Sequence, residues 1–223
     1  MPTSIQYYWA PQDLQAVSLT QNVVSADNLL LNGTYVNPPS ATISFKDQGF
    51  VRQVSLTSVN NLSGATFTIS GVQNNTVVTN IIAGPNNNTV TTSDSFDIIS
   101  SISVNMAVNG VSAGTGLVGY FPLISRVNSS MITISAPSNS YALGFATESS
   151  NGCTYQIYQS LINLAGNGET YSALITGSSF ISVSGPYANI TQILQRTDVC
   201  YNIIVAVTSA INTSTLEMEF LQI

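Results

Sequence analysis

The chain has 223 residues, of which 44% are hydrophobic and only 6% are charged, and its formal net charge is −6. Four basic residues cannot neutralise a phosphate track, so nucleic acid is excluded as a partner, and the absence of histidine excludes His-dependent catalysis and His-ligated zinc. No apolar run approaches the roughly 18 residues of a membrane-spanning helix, so no membrane partner is expected either.

Residues 1–50 are interpreted as an N-terminal arm followed by leader strands. Tyr7, Tyr8 and Trp9 form the densest aromatic cluster of the chain, and no classical secretory signal is visible. The arm can fold back onto its own core or dock on a neighbouring subunit, so these three aromatic residues are candidate partner-binding residues. Residues 14–36 are compatible with a helical turn or with strands.

Residues 51–122 are predicted to form a first β domain. From residue 53 onward, apolar and small polar residues alternate with a period near two, which is typical of antiparallel strands with one buried face. The apolar positions expected in the core are Leu56, Phe67, Ile69, Val77, Ile81, Ile98, Ile102 and Val104. Turns are expected at Asn60-Asn61, Gly71, Gln73-Asn74-Asn75, Gly84-Pro85-Asn86 and Asn109-Gly110. Residues 46–52 hold two of the four cations and are expected to be exposed.

Residues 123–223 are predicted to form a second β-sandwich domain, after a seam at residues 117–128 where the alternation stops. The predicted strands cover residues 131–135, 142–147, 154–160, 170–175, 180–184, 192–197, 202–208 and 215–223. Strands at this spacing without helices indicate an all-β fold class, namely two antiparallel β-sandwich or jelly-roll-like domains with short loops and little helix. Cys153 and Cys200 can form a disulfide or remain thiols, and the lack of a signal sequence favours thiols.

Few residues of the chain are candidates for chemistry. The carboxylate pairs Asp94 with Asp97 and Glu217 with Glu219 could serve glycoside hydrolysis or bind calcium. Each pair lacks further acidic neighbours, which favours solvated carboxylates on strands or turns. We therefore expect no catalytic residue, no cofactor and no metal, and hence no enzyme.

Two features of the sequence favour contacts with other macromolecules. Six tyrosines of the second half could form an adaptable binding face: Tyr141, Tyr155, Tyr158, Tyr171, Tyr187 and Tyr201. The low charge leaves strand edges without protection, so a homo-oligomer, a dimer or a trimer, is expected as well.

Strand and turn patterns along most of the chain carry a resemblance to a known family. They are residues 16–21 with 28–33, residues 52–58 with 62–71, residues 82–86, 90–92 and 98–104 closing at 114–116, and residues 154–159 and 216–222. In these stretches the chain resembles a family of virion-associated structural proteins of tailed bacteriophages. Residues 161–166 depart from the family, whose usual loop at this place is rich in Asp and Pro.

The resemblance implies a β-sandwich component on the virion surface, made in the host cytoplasm. It favours a non-enzymatic capsid decoration (cement) protein that docks between major capsid subunits and stabilises the head. The alternative is a neck, tail or head-fibre component whose Tyr-rich second domain recognises a host glycan or protein. The partners implied are the major capsid protein or other virion proteins. An enzyme such as a depolymerase is disfavoured by the missing histidine and the lack of an acid cluster.

Overall fold

A computed structural model of the chain describes residues 3–35, 42–45, 50–121, 124–125, 143–150, 152–160, 169–177, 181–188, 192–196, 202–211 and 213–222. The strands are β1 (Thr3–Trp9), β2 (Ser18–Val23), β3 (Asp27–Asn28), β4 (Ile43–Ser44), β5 (Val51–Asn61), β6 (Thr66–Gln73), β7 (Thr76–Ala83), β8 (Asn86–Phe96), β9 (Ile98–Val104), β10 (Val108–Tyr120), β11 (Ile124–Ser125), β12 (Leu143–Ser150), β13 (Thr154–Ser160), β14 (Ile181–Ala188), β15 (Gln192–Arg196), β16 (Asn202–Ser209) and β17 (Thr215–Gln222). Within the described chain the single helix is α1 (Tyr171–Thr176). The predominance of antiparallel strands confirms the predicted all-β, sandwich-like fold class.

The chain divides into two compact units, residues 12–119 and residues 1–11 with 120–223. The division expected from the sequence was 1–50, 51–122 and 123–223. In the structure the leader does not stand apart, because strand pairing distributes it between the units. β1 pairs with β17 in one unit, whereas β2 pairs with β10 and β3 with β9 in the other.

The unit of residues 12–119 has its core between two antiparallel layers of strands. One layer has the order β2-β10-β5-β8, and the other has the order β9-β6-β7 with β3 and β4 along the far edge of β9. Phe67, Ile69 and Ile102 of the second layer are fully buried. Phe96 of β8 lies against Gly71 of β6, which closes the core between the layers.

The unit of residues 1–11 and 120–223 contains a four-stranded antiparallel sheet with the order β1-β17-β12-β15. A second group of strands has the order β14-β13-β16, with β11 also paired to β16. Residues 203–207 of β16 are buried without interruption, as a continuous apolar run predicts for a central strand.

At two glycines the structure has a strand where the sequence predicts a turn. The turns expected at Gly71 and at Asn109-Gly110 are absent, because both glycines lie inside strands, β6 and β10. A Cβ at Gly71 would collide with the carbonyl oxygen of Ile98, so only glycine permits this approach of β6 to β9. Gly110 has a φ of 65° at a register irregularity between Val108 and Val111.

The hairpin turn predicted at residues 73–75 is confirmed. Asn74 and Asn75 have φ values of 47° and 64°, the left-handed region that a two-residue turn between twisted strands requires. Asparagine is the non-glycine residue that tolerates this region best, so the two asparagines specify the turn between β6 and β7.

The strand predicted at residues 170–175 is wrong, since α1 occupies this segment. Thr170 caps the helix with its side-chain oxygen, which accepts a hydrogen bond from the backbone N–H of Ala173 at 3.2 Å. Tyr171 and Leu174 are buried three residues apart, which suits a helix and not a strand.

The other predicted strands of the second half correspond to β12 to β17, while the one at residues 131–135 lies outside the described residues. Among the described residues, none of the helical structure is long and apolar enough to cross a membrane.

Candidate interaction surface

The three N-terminal aromatic residues lie in β1, one of the two edge strands of the sheet β1-β17-β12-β15. Tyr7 pairs with Met218 of β17 along the backbone. The Trp9 ring is fully buried, with its centroid 5.6 Å from that of Phe121, whereas Tyr8 is 52% exposed. The arm therefore folds back as a strand of its own unit, and of the two aromatic side chains that the structure describes here, Tyr8 is the one that a partner could contact.

The carboxylates of Asp94 and Asp97 stabilise the strands around them. Asp97 is buried, contrary to the prediction of a solvated carboxylate, and accepts a hydrogen bond from the backbone N–H of Asn74 in the β6–β7 turn. Asp94 is half-buried and accepts a hydrogen bond from the side-chain amide of Asn80. Each carboxylate is thus engaged with the β6–β7 hairpin, Asp97 with its turn and Asp94 with β7.

The remaining candidates for chemistry are a second pair of carboxylates and two cysteines. Glu217 and Glu219 lie in β17, opposite Tyr8 and Gln6 of β1. Cys153 is buried, and Cys200 lies outside the described residues. Within the described ranges no group of three or more Cys, Asp or Glu side chains could hold a metal ion.

The tyrosines of the second half do not share one exposed face. Tyr155 and Tyr171 are buried, and the ring of Tyr171 lies 5.3 Å from that of Tyr120. Tyr158 is partly exposed, and burial of part of its ring raises its pKa. The side chains of the other three tyrosines lie outside the described residues.

Arg52 lies in an aromatic cluster that the sequence did not indicate. It was expected to be exposed, but it is 1% exposed, with its guanidinium carbon 5.2 Å from the centroid of the Phe50 ring. Phe45 and Tyr35 complete the cluster, with ring centroids 5.7 to 6.3 Å apart. Burial raises the pKa of Tyr35, the Arg52 charge opposes this shift, and Asp13 adds to it.

One face of β9, β6 and β7 carries no charged side chain, and we call it the outer face. Its residues are Thr66, Thr68, Ser70, Val72, Val77, Thr79, Ile81, Ala83, Ile98, Ser101 and Ser103. The strand register places them in rows, such as Ser101, Ser70 and Thr79 across the three strands. The outer face thus consists of short hydroxyl and aliphatic side chains only.

Two large apolar residues of β7 project from the outer face. Val77 is 79% exposed and Ile81 is 69% exposed, so their predicted place in the core is wrong. Ile98 of β9, also predicted in the core, is half-buried on the same face. The inner positions of β7 belong to Val78 and Asn80, both buried. Asn80 occupies a core position because its side-chain oxygen accepts hydrogen bonds from the Ser93 hydroxyl at 2.9 Å and the Asp94 backbone N–H at 3.1 Å.

β7 also forms an edge of its sheet. It pairs with β6 over eight consecutive residues without a register shift, and no other strand of the described chain pairs with it. Edge strands are usually protected by lysine, proline or a bulge, and β7 has none of these. An exposed, regular and apolar edge of this kind is a template for pairing with a further strand.

Neither β7 nor β6, the strand paired with it, contains a charged residue. Residues 53–93 contain no Asp, Glu, Lys or Arg. The nearest charges along the chain, Arg52 and Asp94, are buried and half-buried. No charged side chain of β6, β7 or β9 therefore hinders the approach of another uncharged surface.

The hairpin that carries the outer face is anchored at its turn. The Gln73 side-chain amide donates to the backbone carbonyl of Ser95 at 2.7 Å, and the Asp97 backbone N–H donates to the carbonyl of Val72 at 2.7 Å. These bonds connect the end of β6 to Ser95 in β8 and to Asp97, the residue between β8 and β9.

The alternation in the sequence predicts the strands of this surface, but it does not show which of their faces is exposed, and Val77 and Ile81 were expected in the core. The available signal was the uninterrupted absence of charge over residues 53–93. Comparisons of the chain with protein-family models, with curated proteins and with solved structures gave no match.

Proposed function

We propose that the protein is a non-enzymatic structural component of a virus particle, most specifically a capsid decoration protein of a tailed-bacteriophage head. The observation that carries this proposal is the outer face, an uncharged surface with exposed Val77 and Ile81 on an anchored hairpin. The cores of protein interfaces are depleted of charged residues, and an uncharged surface loses little hydration energy when it is covered.

The resemblance to virion-associated proteins supplies the kind of partner, the major capsid protein or another protein of the particle. In this proposal the outer face docks on that partner, and burial of aliphatic and hydroxyl side chains stabilises the shell without chemistry. The engagement of Asp94 and Asp97 in structural hydrogen bonds supports a role without catalysis.

The experiment that tests the proposal is a copy count in purified particles by quantitative mass spectrometry, relative to the major capsid protein. A copy number of the same order as that of the capsid protein is expected for a decoration protein. A much smaller number would contradict decoration and favour the neck, tail or head-fibre alternative. Absence from the particle would overturn the virion role altogether.

A matched pair of variants tests whether the copy number in particles depends on the outer face. Ile81→Lys places a charge on the outer face, whereas Val24→Lys places the same charge at a position that is 91% exposed and lies outside the outer face. We expect Ile81→Lys to lower the copy number and Val24→Lys to leave it unchanged. Equal incorporation of both variants would contradict docking through the outer face.

A further inference from the structure

We propose that β7 is a homodimer interface, in which the β7 strands of two copies pair antiparallel across a two-fold axis. The starting point is the open edge of β7, which leaves a row of backbone N–H and C=O groups without a neighbouring strand in the described chain. The inference concerns self-association and stands independently of the role in a particle.

The side-chain pattern of β7 favours a second copy as the occupant, and the absence of charge permits it. The chain has a net charge of −6, so two copies repel each other at long range, and their contact is least unfavourable where neither surface adds a like charge. Residues 53–93 provide such a surface. An acidic or a basic partner would find no complementary charge on β7, whereas an identical uncharged strand meets no like charge.

The side chains restrict the register of this pairing. Residues directly opposite each other in an antiparallel pair lie on the same face of the sheet, so the outer residues Val77, Thr79 and Ile81 must face outer residues of the second copy. The register with Thr79 on the two-fold axis places Val77 opposite Ile81 of the second copy, and Ile81 opposite Val77. The two most exposed apolar residues of the strand then cover each other across the axis.

A two-fold contact of this type is closed. Each copy uses the one open edge of β7, and the opposite edge of the same sheet is lined by β3 and β4, which pair with β9. A dimer is therefore expected, and not a growing fibre. Pairing joins the two outer faces into one larger uncharged surface.

The first test is the molar mass in solution, measured by light scattering after gel filtration at micromolar concentration. The wild type is expected at twice the 23.6 kDa of the single chain, and Ile81→Lys at the mass of the single chain. Val24→Lys serves as the matched control and is expected to remain dimeric. Because Ile81 is exposed, the variant should keep the circular dichroism and the melting temperature of the wild type, apart from any stability that the dimer itself supplies.

The second test fixes the register. Thr79→Cys brings two thiols together on the axis, and mild oxidation should convert it to a disulfide-linked dimer at least ten times faster than Val24→Cys. The wild type under the same oxidation gives the background of Cys153 and Cys200. A monomeric wild type, a dimeric Ile81→Lys or equal cross-linking of the two cysteine variants would each overturn the proposal. The copy number of the wild type in particles is a separate measurement, so a failure of the dimer leaves the role in the particle to be decided by that count.

Discussion

Two sheets of this protein, each in its own unit, differ in the number of charged residues in their strands. The strands of the sheet β1-β17-β12-β15 contain Glu148, Arg196, Glu217 and Glu219, and Glu148 stands opposite Glu217 in the register. The strands β9, β6 and β7 contain no charged residue at all. Charged residues on edge strands oppose pairing with further strands, and Arg196 lies on the edge strand β15. We call β9, β6 and β7 the uncharged sheet, without the flanking β3, which carries Asp27. The difference supports our proposal that the uncharged sheet is the covered surface.

The largest effect on folding is expected when the same charged residue is placed on the buried face and on the exposed face of the uncharged sheet. Ile69→Asp would place an unpaired carboxylate in the core and cost about 4 kcal/mol or more, which should abolish soluble folded protein. Ile81→Asp places the same carboxylate on the neighbouring strand but in solvent, and should fold. Soluble yield and circular dichroism measure both. A well-folded Ile69→Asp would contradict the strand assignment of β6.

A medium effect is expected for the carboxylate that anchors the β6–β7 hairpin. Asp97→Ala removes the acceptor of the Asn74 backbone N–H and should lower the free energy of unfolding by about 1–3 kcal/mol. Asp94→Ala, at a half-buried position, should cost less. Urea denaturation measures the difference. If Asp97→Ala unfolds at the same urea concentration as the wild type, the hairpin does not depend on this anchor.

The smallest effect is expected at alkaline pH. Burial raises the pKa of Tyr35, so the unfolded chain releases this proton at a lower pH than the folded chain does. The contribution to stability is therefore complete below the ordinary pKa of 10.0 and declines as the pH rises through the higher pKa of the folded state. Tyr35→Phe should lose less stability than the wild type above pH 10. The melting temperature of each protein, measured at several pH values on both sides of pH 10, tests this. An equal fall of the two melting temperatures with pH would show that the ionisation of Tyr35 does not affect folding.

The sequence was sufficient for the strands whose signals are local. The boundaries of β13 were predicted correctly because Asn151 and Gly152 precede Thr154–Ser160, and the alternation of polar and apolar residues stops after it. The β6–β7 turn was predicted correctly because adjacent asparagines tolerate positive φ. Such features depend on neighbours in the sequence and not on the rest of the fold.

The face of β7 was not predictable from local pattern. The strand contains the apolar pairs Val77-Val78 and Ile81-Ile82, so both alternating sets of positions look equally apolar. Asn80 determines which face of β7 is buried, because it forms hydrogen bonds with Ser93 and Asp94 of β8, a strand that the local pattern does not include. Gly71 was misread for a similar reason, since its role is to admit the backbone of β9.

The most direct test of the central claim is hydrogen–deuterium exchange of the isolated protein at low and at high micromolar concentration. If the uncharged sheet is the interaction surface, amide exchange in Thr76–Ala83 should slow as the concentration rises, while exchange in Thr3–Trp9 and Thr215–Gln222 stays constant. Exchange in Thr76–Ala83 that does not depend on concentration, or protection of the charged sheet instead, would contradict the account.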